Sequence, residues 1–102
     1  MTTIIYCSSY ERGEEQFDKL MNQLQESGVN LSITKRKCGS FAKDINGNFW
    51  KVVSACDGAR GHKWHTCYVD EEISLCVFHT IIKPSEVPRF LSPIGEREVY
   101  FY

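Results

Sequence analysis

The stretch that most constrains this chain is residues 2–28, "TTIIYCSSYERGEEQFDKLMNQLQESG". It opens with β-branched and aromatic residues that read as a strand closing on the pair Ser8-Ser9. Phe17, Leu20, Met21 and Leu24 then fall at i, i+3, i+4 and i+7, the apolar stripe of an amphipathic helix. Glu11, Glu14 and Glu15 load the first turns, where the helix dipole favours anions. Gly28 stands where a C-terminal glycine cap belongs. A strand running directly into a helix rules out an all-β or all-α chain and points to a sheet with helices packed on it.

The remaining segments fit that frame. Residues 29–36, "VNLSITKR", alternate apolar Val29, Leu31 and Ile33 with polar neighbours, as a strand with one covered face does. Residues 41–55 place Asn46-Gly47 between two β-prone runs, which predicts a hairpin with a type I′ turn. "CDGARG", 56–61, is turn-like, and "HKWHTCYVD", 62–70, is a strand ending on an acid. In residues 71–95, Ile73, Val77 and Ile81 share one helical face, although the β-branched residues weaken that helix. Pro84 and Pro88 end what precedes them. "EREVYFY" closes as a strand. The expectation is one α/β domain over 1–102, a mixed sheet of about five strands with two helices packed on it.

Composition narrows the function classes. With 42% hydrophobic and 25% charged residues the chain is an ordinary globular one. A formal net charge of -1 excludes a protein that coats DNA by charge alone. No run approaches the roughly 18 apolar residues that span a bilayer. The start lacks a basic region followed by a long apolar run. Five cysteines, an odd number with no C-x-x-C pair, suit a reducing cytoplasm with most thiols buried.

"CDGARGHKWHTCYVDEE", 56–72, carries the chemistry. Cys56, His62, His65 and Cys67 are competent zinc ligands, but their spacing is not that of a zinc knuckle. A strand would turn His65 and Cys67 to one face and His62 to the other. A thiol nucleophile would be Cys7, at the end of the first strand, with His65 or His79 as its base. Lys35, Arg36 and Lys37, followed by Lys43, Phe49 and Trp50, form a basic and aromatic set of the kind that binds phosphates and stacks on bases. Arg60, His62, Lys63 and Trp64 form a second such cluster. Near Asp70 these cations also suit a small anionic ligand or nucleotide.

"TCYVDEE" is the most specific piece. An apolar strand that delivers Asp70 and then Glu71 is the way a P-loop ATPase presents the acid that organises magnesium and the acid that orients water. The layout around it resembles the middle of the ATPase domain of phage large terminases and related helicases. "TTIIYCSSYERGEEQFDKLM" is similar to that family's strand with a hydroxyl end leading into a helix. "FWKVVSACDGARGHKWHTCYVDEE" is similar to its hairpin, Arg-Gly step and acidic strand end. "VFHTIIKPSEVPRFL" and "REVYFY" resemble the helix and strand that come next. The sharpest matches are Arg60, Gly61, Asp70 and Glu71, and the resemblance implies a small phage-encoded protein.

One departure governs the functional expectation. The chain has no G-x-x-x-x-G-K-[ST] and no Gly-Lys pair, so the backbone cradle and lysine that hold phosphates are missing. Independent ATP hydrolysis is therefore not expected. The expected function is a non-enzymatic accessory or inhibitor protein that binds a host or phage protein in the cytoplasm, with Arg60, His62, Lys63, Asp70 and Glu71 as the binding set and no cofactor. The alternatives are a nucleic-acid-binding accessory factor and a nucleotide- or zinc-binding protein. The aromatic "VYFY" is expected at a sheet edge, where it can pair with a second copy.

Overall fold

The structure, a computed structural model, describes residues 1–55, 63–86 and 98–102. Six strands form one sheet in the order β2-β3-β4-β1-β5-β6. They are β1 (Thr2–Cys7), β2 (Leu31–Thr34), β3 (Phe41–Asp44), β4 (Phe49–Ser54), β5 (Thr66–Val69) and β6 (Glu98–Phe101). β1 lies at the centre, parallel to β4 on one side and to β5 on the other. β6 extends the parallel half beyond β5, and β2 and β3 add an antiparallel half beyond β4. The count is one above the expected number of about five.

β1 is buried from Thr3 to Cys7, as a strand covered on both faces must be. Ile5 and Cys7 point to one face, where Phe17, Leu20 and Met21 of α1 (Tyr10–Glu26) pack with Trp50 and Val52. Ile4 and Tyr6 point to the other, against Trp64, Cys67, Val69, Ile81 and Ile82. The predicted stripe of α1 is the buried one. Its end is a Schellman cap: Gly28 has φ 87°, and the amides of Gly28 and Val29 donate to the carbonyls of Gln25 and Leu24, both at 3.0 Å. Gly13 lets α1 approach the sheet. A Cβ there would stand 2.7 Å from Cys7 Cβ and 2.8 Å from Val52 Cγ1.

Two expectations need correction. The hairpin forms, but its turn is not type I′, because Gly47 has positive φ and Asn46 does not. Asp44 donates its amide to the Asn48 carbonyl at 3.1 Å and closes a three-residue loop. The cause is the Asp44 carboxylate, which accepts from the amides of Asn46 and Asn48 at 2.9 Å and from the Asn48 side chain at 2.8 Å. The segment after β5 is helical but not one regular helix. α2 (Leu75–Val77) runs into a π turn, Phe78–Ile82, and a 3-10 turn, Lys83–Ser85. Hydroxyls assist the distortion: Thr80 Oγ1 donates to the Cys76 carbonyl at 2.7 Å and Ser85 Oγ to that of Ile81 at 2.8 Å. Among the described residues no helix is long and apolar enough to cross a membrane.

Candidate functional site

The site follows from topology. β1 and β5 are parallel neighbours, so both end at the same edge of the sheet. The helix after β1 covers one face, and the helical segment after β5 covers the other. Adjacent strands whose connections leave to opposite faces open a crevice at their carboxyl ends, the usual ligand position in α/β sheets. Ser8 follows β1 there, and Asp70 follows β5.

Asp70 is fully buried, at 0% exposure. One carboxylate oxygen accepts from the Ser8 amide at 2.9 Å, from the Ser8 hydroxyl, and from Arg12 Nε at 2.9 Å. The other accepts from the Glu72 amide at 2.9 Å. A carboxylate offers about two acceptor positions on each oxygen, so three donors crowd the first oxygen while the second keeps one position beside the Glu72 amide. Burial by itself pushes this carboxyl up. The hydrogen bonds from Ser8, from the Glu72 amide and from Arg12 outweigh burial and hold it at about 2.

Arg12 sits at the third position of α1 and is 39% exposed along its side chain. Besides Asp70 it reaches the Tyr102 main-chain oxygen at 3.4 Å and lies over the Tyr102 ring at 5.9 Å. Tyr102 is itself fixed. Its amide donates to the Val69 carbonyl at 3.0 Å, its hydroxyl donates to the Tyr6 carbonyl at 2.8 Å, and its main-chain oxygen accepts from the Glu71 amide at 2.6 Å. The strand ends of β1, β5 and β6 and the start of α1 are thus tied at one point. Beside it lies a cleft of about 300 Å³ lined by Arg12, Glu15, Gln16, Lys19 and Tyr102.

Of the expected binding set, Asp70 occupies the crevice. Glu71 is exposed and contributes its backbone. The second acid at the site is Glu72, whose carboxylate lies 3.3 Å from the Ser8 hydroxyl and 4.0 Å from Arg12 Nε. Lys63 is at the opposite, amino end of β5, seven residues or about 20 Å of strand away from Asp70, so the two are not brought together. Arg60 and His62 lie outside the described residues.

The metal set is only partly described, because Cys56 and His62 fall outside. His65 Nδ1 accepts from the Thr2 amide at 3.1 Å, while Cys67 is buried in the core. Among the described residues no group of three or more His, Cys, Asp or Glu is placed to hold a metal ion. Cys7 is buried, and its thiol donates to the Val53 carbonyl at 3.6 Å. Burial, followed by the charge of Asp70, pushes it up to about 11, which keeps it a thiol rather than a nucleophile. His65 is at the other end of the sheet from it.

The basic set is partly engaged within the chain. Lys35 Nζ is held by Glu14 at 3.1 Å and Asp18 at 2.7 Å, and Arg36 lies over the Phe41 ring at 5.0 Å. Trp50, 9% exposed, packs under α1 and presents no open ring face for a base. Lys37 and Lys43 are exposed.

Sequence reasoning missed Arg12 and Glu72. A signal for Arg12 was present: a cation in the first turn of a helix opposes the dipole, a local conflict that asks for a partner elsewhere.

No known sequence family matches this chain, and no curated protein does either. Solved structures do. The fold is similar to the large-terminase ATPase domain of Thermus phage P74-26, with a TM-score of 0.63 and 16% identity over 98% of this chain. It is also similar to the large terminase of a second, thermophilic bacteriophage, with a TM-score of 0.67 and 9% identity over 98% of this chain. The chain spans 46% of the first and 25% of the second. The resemblance to the phage terminase ATPase fold therefore extends over nearly the whole of this chain, at identities that speak for fold alone.

Proposed function

We propose that this chain is a terminase-like α/β module that does not hydrolyse nucleotide and acts by binding another protein of the phage or its host. The observation that carries the reading is the engagement of Asp70 by this chain's own donors. In an ATPase the acid at this strand end must hold magnesium through water and leave acceptor positions open to do so. Here Arg12 and Ser8 place three donors on one oxygen of Asp70 and the Glu72 amide takes a position on the other.

The binding half of the proposal draws on the surface. The chain exposes the neighbouring Tyr100 and Phe101 of β6, the last strand of the sheet. Exposed apolar side chains grouped near one edge are a feature of protein-binding surfaces. An affinity-tagged chain expressed during phage infection is expected to recover one protein in stoichiometric amount. Recovery of none across salt and nucleotide conditions would overturn the reading.

A further inference from the structure

The tip of the β3–β4 hairpin holds two asparagines in opposite states. Its loop, Ile45-Asn46-Gly47, is exposed throughout. The hydrogen bonds that shape it use the amides of Asp44, Asn46 and Asn48 and the side chain of Asn48. The Asp44 carboxylate thus holds Asn48 twice, through its amide at 2.9 Å and its side-chain nitrogen at 2.8 Å. Among the described residues no hydrogen bond engages the Asn46 side chain or the Gly47 amide.

Those two groups are chain neighbours that can react with each other. Attack by a backbone nitrogen on the side-chain amide before it closes a cyclic imide, and proximity within one chain replaces a bimolecular encounter. Gly47 has no side chain to shield its nitrogen, and nothing stands within 4 Å of where a Cβ would be. Closing the ring turns the backbone at Asn46-Gly47, a movement glycine allows at the least steric cost. The other asparagines lack this setting. Asn22 precedes Gln23 inside α1, and Asn30 precedes Leu31 of β2. Asn48 precedes Phe49, whose amide is committed to the Met1 carbonyl at 3.0 Å.

We propose that Asn46 is a self-modification site, converting without an enzyme to aspartate and isoaspartate. The Gly47 nitrogen gives up its proton and bonds to Asn46 Cγ. The bond from Cγ to the side-chain nitrogen breaks, and that nitrogen leaves with the proton as ammonia. Water then opens the imide. Opening at Cγ leaves aspartate, and opening at the main-chain carbonyl leaves isoaspartate, with the chain running on through Cβ and Cγ. Either product adds one negative charge to a chain of formal net charge -1. The charge arises close to Asp44, whose carboxylate organises the loop, and isoaspartate also lengthens the loop by a main-chain carbon. Both changes loosen the hairpin tip. That tip is at the amino end of β4, whereas Asp70 follows the carboxyl end of the parallel β5. The proposal is therefore independent of the reading of Asp70.

Incubation of the full chain at pH 8, with peptide mapping by mass spectrometry over time, tests it. The expected result is an acidic variant modified at Asn46, formed at least about tenfold faster than at Asn22, Asn30 or Asn48. Aspartate and isoaspartate should both be present, with ammonia released in equal amount. Gly47→Ala should slow the conversion at least about tenfold. Conversion at Asn46 no faster than at Asn48 overturns the proposal. So does aspartate without isoaspartate, the signature of direct hydrolysis by water, and so does a folded Gly47→Ala variant that converts at the natural rate. Gly47 has φ 86°, a conformation alanine resists. Should that variant lose its far-ultraviolet dichroism, the contrast between Asn46 and Asn48 in the natural chain decides.

Discussion

Arg12 Nε lies 2.9 Å from a carboxylate oxygen of Asp70, across 58 residues of sequence, joining the first turn of α1 to the end of β5. The carboxylate is buried and the guanidinium is partly open to water. The pair therefore keeps a buried charge compensated while one side remains accessible. Removing Arg12 leaves that charge with neutral donors only. Arg12→Ala is expected to lower the urea midpoint at pH 7 clearly, and Arg12→Lys to restore only part of it, because a lysine cannot copy the guanidinium's aimed N–H. Equilibrium unfolding of the three proteins checks this.

Acid should loosen the same point. The Asp70 carboxyl lies at about 2 when folded, below its ordinary 3.8. Its contribution is therefore complete above about pH 4 and is lost as pH falls toward 2. The contribution is roughly 2 kcal/mol, trimmed by the solvent-open side of Arg12. Asp70→Asn should flatten that part of the stability curve, as measured by urea unfolding between pH 2 and 5.

The close approach of α1 to the sheet makes Gly13 intolerant of a side chain. Alanine gains up to about 1 kcal/mol of helix propensity, but a Cβ 2.7 Å from Cys7 Cβ has no room. Overpacking of about 1–3 kcal/mol should win. Gly28→Ala also destabilises, for a different reason: open space surrounds it, but its φ is 87°, which costs about 1 kcal/mol. Chemical denaturation of both variants tests the comparison.

These relations show what the sequence could and could not disclose. The stripe of α1, its glycine cap, the 41–55 hairpin and the aromatic edge strand are encoded locally, in spacing and in single residues, and were legible. The meeting of Ser8 and Arg12 with Asp70 was not, because it depends on β1 lying between β4 and β5, which no local pattern specifies. The choice of Glu72 over Glu71 was hidden for a related reason. The chain turns after Asp70 instead of continuing as a strand, so the period of two does not apply. Residues 75–85 resisted reading because β-branched side chains and Pro84 break one helix into three kinds of turn.

The thiols should sort by burial. Cys38 and Cys76 are exposed, whereas Cys7 and Cys67 are buried, with burial pushing Cys67 up to about 12. In a Cys56→Ser background, a thiol reagent at pH 8 should label Cys38 and Cys76 quickly, and Cys7 and Cys67 only on the timescale of unfolding. Peptide mapping of the labelled sites over time checks it.

The partly engaged basic set leads to a prediction about nucleic acid. With Lys35 held by Glu14 and Asp18 and Trp50 buried, binding to oligonucleotides at physiological salt should be no tighter than the non-specific range of about 10⁻⁴ M. Substituting Lys35, Arg36 and Lys37 together by alanine should weaken that binding alike for every sequence, as the loss of three cations does and fluorescence anisotropy would report.

The central claim is that Asp70 is committed to Arg12 and Ser8 rather than to magnesium. Its most direct test is ATP turnover by the purified chain with magnesium, beside Asp70→Asn. The account predicts that both release phosphate at the rate of the protein-free blank, from pH 6 to 8. Turnover above the blank that disappears in Asp70→Asn would contradict it.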